Sequence, residues 1–218
     1  MRKMTKGELT KERIFKSAKE LFYQQGYNAT TIQQIADHSG TTLGSMTYHF
    51  ATKDTFVAKI FTDYFASISD AVKENLYGYK TINSFEQHFY LTMVWYSALL
   101  TDPKVKNFYY EITISDSLYS YIFENINHVY HEFQSEYHLR IRPIEFDALL
   151  IADFGARRTL ARYFCEGKIK MPVEDFSILT ITNTARCFGI PEKVIFKVSY
   201  EALIFFRNHD FSKIKLLI

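Results

Sequence analysis

No proline occurs in the first 102 of the 218 residues. Proline locks φ and lacks an N–H, which makes it the strongest helix breaker, so nearly half of this chain is free to run as helix. Apolar residues use that freedom. Ile14, Ala18, Leu21 and Phe22 recur at three- and four-residue spacing, and Ile32, Ile35 and Ala36 continue the pattern. No stretch alternates polar and apolar residues long enough for a strand. The four prolines, at 103, 143, 172 and 191, fall at natural helix starts or breaks. Gly26, Gly40, Gly78, Gly167 and Gly189 stand near the ends of periodic segments, where a left-handed cap is wanted. The fold class expected is all-α.

The spacing predicts helices over Thr10–Gln25, Thr31–His38, Thr42–Phe50 and Lys53–Tyr77, with later ones starting near Ser84, Lys104, Leu118, Pro143, Val173 and Pro191. Thr31 with Gln34, and Ser84 with Gln87, have capping-box spacing. No Pro/Gly/Ser-rich linker divides the chain, so the fourth helix is expected to join a front part, residues 1–52, to a back part, residues 53–218.

Composition removes several function classes. At 47% hydrophobic and 23% charged the chain is globular. No apolar run approaches the ~18 residues of a membrane span, and the polar, basic start (Arg2, Lys3, Lys6) is not a signal peptide. Cys165 and Cys187 form neither a disulfide framework nor a CxxC site. The expectation is a reduced, cytoplasmic protein without membrane association. No Walker sequence, dinucleotide fingerprint, GxSxG or HExxH is present; no enzyme and no cofactor are expected. Glu124, His128, His131, Glu132 and His138 approach one another at helical spacing but lack a defined set of further ligands, so no metal site is expected either.

Residues 1–55 carry eight Lys/Arg against five acids, whereas residues 56–218 carry 18 against 19. A basic front suits a polyanionic partner. The segment from Thr30 to Phe50 sharpens this. A short helix ends at Gly40, and after a tight turn the Thr42 hydroxyl is placed to cap a second short helix near Ser45. Met46 and Phe50, four apart, face the core, which leaves Leu43, Gly44, Thr47 and Tyr48 on the wet face. Hydroxyls there suit base edges or phosphates, Leu43 suits a thymine methyl, and Gly44 permits close approach. This is the logic of a helix-turn-helix. Spacing alone also fits a small helical subdomain packed on the rest.

The same stretch resembles the N-terminal domain of the TetR family of transcriptional regulators. The matching residues are Arg13-Ile14, Ala18, Glu20-Leu21-Phe22, Gly26-Tyr27, Thr30-Thr31-Ile32, Ile35-Ala36, Ser39-Gly40, Gly44-Ser45-Met46, His49-Phe50 and Lys53-Asp54, in one register over some 44 residues. The resemblance implies a three-helix DNA-binding domain joined by a long helix to a helical ligand-binding and dimerisation domain. It implies DNA contacts from Thr31, Gln33, Thr42, Leu43, Ser45, Thr47, Tyr48, His49 and Lys53, the last as a backbone clamp beside a positive helix N-terminus. This chain departs from the family at Thr47, where an aromatic is usual, so that a phosphate contact passes to Tyr48 or His49 or is lost. It departs again at Thr41-Thr42, which replaces Val-Ser and keeps the capping hydroxyl, and at Leu43, often a polar residue.

Of 37 aromatic residues, 31 lie beyond residue 55. An aromatic-lined cavity suits a flat or greasy effector, and Tyr64, Phe65, Phe89, Trp95, Tyr96 and Tyr109 are its candidate lining; core and interface packing accounts for such rings equally well. Residues 143–166 and 191–206 are apolar over more than one face, at Phe146, Leu149, Leu150, Phe154 and Leu160, and at Val194, Ile195, Val198, Ala202, Leu203 and Phe206. With the family's late-helix bundle they mark the expected homodimer contact, centred on Ala202 and Phe206. Three classes follow: a dimeric repressor released from a palindromic double-stranded DNA operator by a small apolar molecule, with the fourth helix as lever; a DNA-binding regulator without an effector; or a helical enzyme or carrier.

Overall fold

The computed structural model describes residues 4–76, 82–114 and 129–218. The element order is α1 (Lys6–Ala29), α2 (Ile32–His38), α3 (Leu43–His49), α4 (Lys53–Leu76), α5 (Ser84–Leu100) and α6 (Pro103–Ile114). The described part of α7 is residues 129–136. Then come α8 (Pro143–Cys165), α9 (Val173–Cys187) and α10 (Glu192–Asn208). No strand occurs among the described residues.

Local chemistry sets most boundaries. The first helix begins earlier than the periodicity predicts, because Thr5 and Glu8 form a capping box: Glu8 N donates to Thr5 Oγ1 at 3.2 Å and Thr5 N to Glu8 Oε2 at 2.7 Å. Lys6 is thereby helical; Arg2 and Lys3 lie outside the described residues. Regular helix geometry breaks at Gly26, which adopts φ +84°. Thr31 and Gln34 make the expected box on α2, and Ser45 N donates to Thr42 Oγ1 at 3.1 Å on α3. The box expected from Ser84 and Gln87 is instead made one residue earlier by Asn83 and Glu86, with Glu86 N donating to Asn83 Oδ1 at 2.8 Å. Ser84 turns its N–H and hydroxyl to Glu136. The helix start expected near Leu118 lies outside the described residues.

The helices α1 to α3 close a small core of Ile14, Ala18, Phe22, Ile35, Ala36 and Met46, each with no measurable exposure. Burying side chains of this kind contributes about 1.5–3 kcal/mol each for the larger ones. The back part is organised around α5, which is buried on nearly every side and packs against α4, α6, α9 and α10. Among the described residues, two helices link the parts. The fourth stacks Phe56 on Phe50 at 4.1 Å in the front and Phe65 on Trp95 at 4.5 Å in the back. The second link, absent from the sequence reading, is α6 lying along α1.

The late helices differ from expectation in which faces they leave open. On α8, Phe146, Leu150 and Phe154 are buried within the chain. On α10, Ala202 is fully buried and Phe206 is half-buried, stacked on Phe211 at 5.8 Å. Ala202 is therefore closed to a partner, and Phe206 is partly covered by the chain's own C-terminal segment. The open face of α10 is a different stripe: Phe196 is 76% exposed, Tyr200 60% and Ile204 42%. That stripe adjoins α9 rather than α8. Between α9 and α10 runs a groove of about 420 Å³, with Ile178, Leu179, Thr182, Ile195, Phe196 and Ser199 on its walls.

Candidate nucleic-acid interface

The chain turns from α2 into α3 through Ser39, Gly40 and Thr41. Gly40 takes φ +62°, a conformation that costs a residue with Cβ roughly 1–2 kcal/mol. Ser39 Oγ and Thr41 Oγ1 lie 2.8 Å apart and close the turn. Met46 anchors α3 with no exposure, and Phe50 follows it into the core at 3%. The opposite face is consequently presented outward. Leu43 is 45% exposed and Tyr48 85%, while Gly44 and Thr47 are also exposed. A seven-residue helix holding a bare tyrosine and leucine beside hydroxyls has an unusual surface for solvent alone.

The other front residues singled out from sequence fall as follows. Thr31 and Thr42 are exposed caps of α2 and α3, and Ser45 and His49 are half-buried. Gln33 is exposed, its Nε2 donating to Asp37 Oδ1 at 2.8 Å. Thr47 is exposed, and its Oγ1 donates back to Leu43 O at 3.0 Å, which spends its proton within the helix and leaves the oxygen as an acceptor. The Tyr48 and His49 rings meet edge to face at 5.1 Å.

Lys53 does not share their setting. It was expected to face out; it is half-buried, its Nζ donating to Tyr27 O at 2.8 Å and lying 4.0 Å from the centre of the Tyr27 ring. Burial lowers its pKa, with Glu111 and Asp54 acting in the opposite direction. Tyr27 OH in turn donates to Asp54 Oδ1 at 2.8 Å; burial first, then this bond, raises the Tyr27 pKa.

Residues 14–60 match the family model described as bacterial regulatory proteins, tetR family. Residues 14–60 thus form a domain of the TetR family. Among curated relatives the chain is similar to the HTH-type transcriptional regulator QacR of Staphylococcus aureus, 44% identical over 50 residues, covering 23% of this chain and 27% of that protein. It is also similar to the uncharacterized HTH-type transcriptional regulator YerO of Bacillus subtilis, 29% identical over 127 residues, covering 50% of this chain and 44% of that one. The chain thus spans less than half the length of either curated relative. Solved structures extend the likeness of fold beyond that domain. RolR in complex with resorcinol superposes with a TM-score of 0.62 at 16% identity, covering 89% of this chain and 94% of that one. FadR of Thermus thermophilus in complex with lauroyl-CoA gives 0.59 at 15% identity, covering 82% and 92%.

In the back part, the six aromatic candidates separate into groups. Tyr64, Phe65 and Trp95 knit α4 to α5: Tyr64 OH donates to Trp95 O at 2.7 Å, and the Tyr64 and Trp95 rings are 5.1 Å apart. Phe89 packs edge-on to Phe85 at 5.6 Å. Tyr96 meets Phe176 of α9 at 5.1 Å, and Tyr109 is buried on α6. None of the six lines the groove between α9 and α10. Of the histidine group, Glu124 and His128 lie outside the described residues, and His131 stacks on Phe146 at 4.1 Å.

Sequence reasoning missed a buried polar cluster at the junction of α5, α7, α8 and α9. Asp153 has no exposure. Its Oδ2 accepts from Arg157 Nε and from Tyr130 OH, both at 2.9 Å, and its Oδ1 accepts from Thr184 Oγ1 at 2.6 Å. Arg157 Nη2 donates to Thr184 Oγ1 at 2.7 Å and lies 3.2 Å from His88 Nε2. Because guanidinium is donor only, His88 Nε2 is the acceptor and the ring is neutral. Burial, then the Arg157 charge, depresses the His88 pKa well below its usual value. Burial alone would lower the Arg157 pKa, but the neighbouring Tyr130 and Asp153 outweigh it and raise it. The i, i+4 spacing of Asp153 and Arg157 in an apolar helix was the available signal.

Proposed function

We propose that this chain is a DNA-binding transcriptional repressor that works as a homodimer, with residues 1–52 as the reading head and residues 53–218 as the effector-binding and dimerisation part. The observation that carries the reading is the orientation of α3. Met46 is sealed in the core while Leu43, Thr47 and Tyr48 are held outward. A helix so held fits the major groove, where Leu43 and Thr47 meet base edges and Tyr48 a phosphate or base. Thr31, Gln33, Thr42, Ser45 and His49 flank it and take backbone contacts, which position but do not specify.

One such head buries little surface, and tight reading calls for two. The stripe of Phe196, Tyr200 and Ile204 on α10, continuous with Leu179 on α9, is the face for a second copy. A two-fold axis there makes the contact self-complementary and sets two heads against successive major grooves, about 34–36 Å apart or a multiple of that. Phe196→Glu is expected to give a monomer by sedimentation while retaining its helical content.

The effector part of the reading rests on the aromatic wealth of the body. It also rests on two structures of similar fold, whose ligands are resorcinol and lauroyl-CoA, both with a large apolar portion. A ligand opposes DNA binding only by preferring a conformation whose heads are wrongly placed. Trp95, the only tryptophan, is 9% exposed and in contact with α4, so its emission reports movement there.

Selection of bound duplexes from a random pool tests the reading. A palindrome or near-palindrome is expected. A single asymmetric half-site overturns the two-fold arrangement, and no enrichment overturns DNA recognition. Addition of phenols or acyl thioesters to the bound complex then separates an effector-released repressor from one without a small-molecule effector.

A further inference from the structure

The left-handed turn at Gly26 frees backbone groups that the helix would otherwise use, and two of them are taken from opposite sides. The Asn28 N–H donates to Glu111 Oε2 of α6 at 2.8 Å. The Tyr27 carbonyl accepts from Lys53 Nζ of α4 at 2.8 Å. One anion from one body helix and one cation from the other thus grip adjacent residues at the end of the first head helix. The Glu111 carboxylate is itself oriented by Asn107 Nδ2, which donates to Oε1 at 3.2 Å. Gly26 is required twice over: for its φ of +84°, and because a Cβ there would lie 2.8 Å from Glu111 Oε2. Around this pair, Phe108 of α6 meets Phe22 at 5.3 Å and Tyr27 at 6.3 Å, and Tyr23 OH donates to Asp102 Oδ2 at 3.0 Å.

We propose that Glu111 and Lys53 are positioning residues that pin each reading head at a fixed angle to the body and so set the spacing of the two half-sites the dimer accepts, with Lys53 acting through the Tyr27 carbonyl rather than through a DNA phosphate. The inference rests on the DNA-reading function above. A head gripped from α4 and α6 together cannot swing to follow a displaced half-site. Each inserted base pair displaces a half-site by about 3.4 Å and turns it by about 34°, one tenth of a helical turn. A head freed from one grip follows part of that displacement.

The test uses the full-length protein and the duplex selected as above, with zero, one or two base pairs inserted between the half-sites. Wild type is expected to lose at least about tenfold in affinity over the series, and Glu111→Ala less than about threefold. Glu111→Gln, which keeps an acceptor for the Asn28 N–H, is expected to retain the wild-type profile. Lys53→Met is expected to flatten the spacing profile while leaving the salt dependence of binding unchanged. Glu111→Asp, which is one methylene too short to reach Asn28, serves if Glu111→Ala does not fold. A mere loss of head stability would weaken all spacings alike. Wild-type spacing profiles for Glu111→Ala and Glu111→Asp overturn the proposal, as does a salt slope reduced by about one unit in Lys53→Met with spacing preference intact, the mark of a lost phosphate contact. If wild type selects no spaced pair of half-sites, the two-fold DNA-reading conclusion itself fails, a result distinct from either of these.

Discussion

The reading head and the body solve the burial problem in different ways. The head closes on apolar and aromatic side chains, Ile14, Phe22, Ile35 and Met46, and buries no charged group among them, only small hydroxyls such as Ser17 and Thr30. The body, with far more apolar material, places a carboxylate, a guanidinium, an imidazole and two hydroxyls together at its centre. Apolar packing is tolerant of what surrounds it, whereas a buried ion pair demands that every partner be present. The head is therefore free to specialise at its surface, and the body is specified at its interior.

The sharpest break of this contrast is Asp153→Ala. Removal of the carboxylate leaves the Arg157 guanidinium buried without its counter-charge, and a loss of about 3–5 kcal/mol is expected in denaturant unfolding. Arg186→Ala, which removes an exposed partner of Glu192, is expected to cost only about 0–1 kcal/mol. Equal effects would mean that the buried cluster is not what specifies the body.

Met46→Ala is the matching test of the head. The side chain has no exposure, so its loss should cost about 2–5 kcal/mol by the same method. Leu43→Ala and Thr47→Ala lie on the other side of the same helix. They are expected to leave the melting temperature in place and to change which duplex is preferred, by about 1–3 kcal/mol per altered base pair in competition binding.

These residues also show what the sequence made legible. The head is written in local chemistry: Thr31 with Gln34, Thr42 with Ser45, Gly26 and Gly40 at positive φ, and Met46 four residues before Phe50 all act within a few positions of one another. Periodicity and capping rules see such contacts. Tyr23 and Asp102, Asn28 and Glu111, and His88 and Arg157 meet across 79, 83 and 69 positions. No local pattern encodes those meetings, so the second link between head and body and the polar cluster emerged only from packing. The late helices fall between. Their spacing showed more apolar faces than one domain needs, but only the structure assigned Ala202 to the chain's own core and Phe196 to the open face.

The smallest expected effect concerns acid. His88 is buried and neutral, with its pKa held well below that of an exposed imidazole, near 6.5. The unfolded chain then takes up a proton below about pH 6.5 that the folded chain does not, so stability is complete above that pH and falls as the pH drops towards the folded value. The slope contributed by one such group is at most about 1.4 kcal/mol per pH unit. His88→Phe should flatten that part of the profile between about pH 6.5 and 5. Mutations confined to the head, such as Leu43→Ala, should leave it unchanged.

The central claim is that the outward face of α3 and the caps beside it read DNA. Amide hydrogen exchange of the full-length protein, with and without its selected duplex, tests this most directly. The account predicts slowed exchange concentrated in residues 31–49, with α9 unaffected by the duplex. Protection confined to the body, with residues 31–49 exchanging as in the free protein, would contradict it.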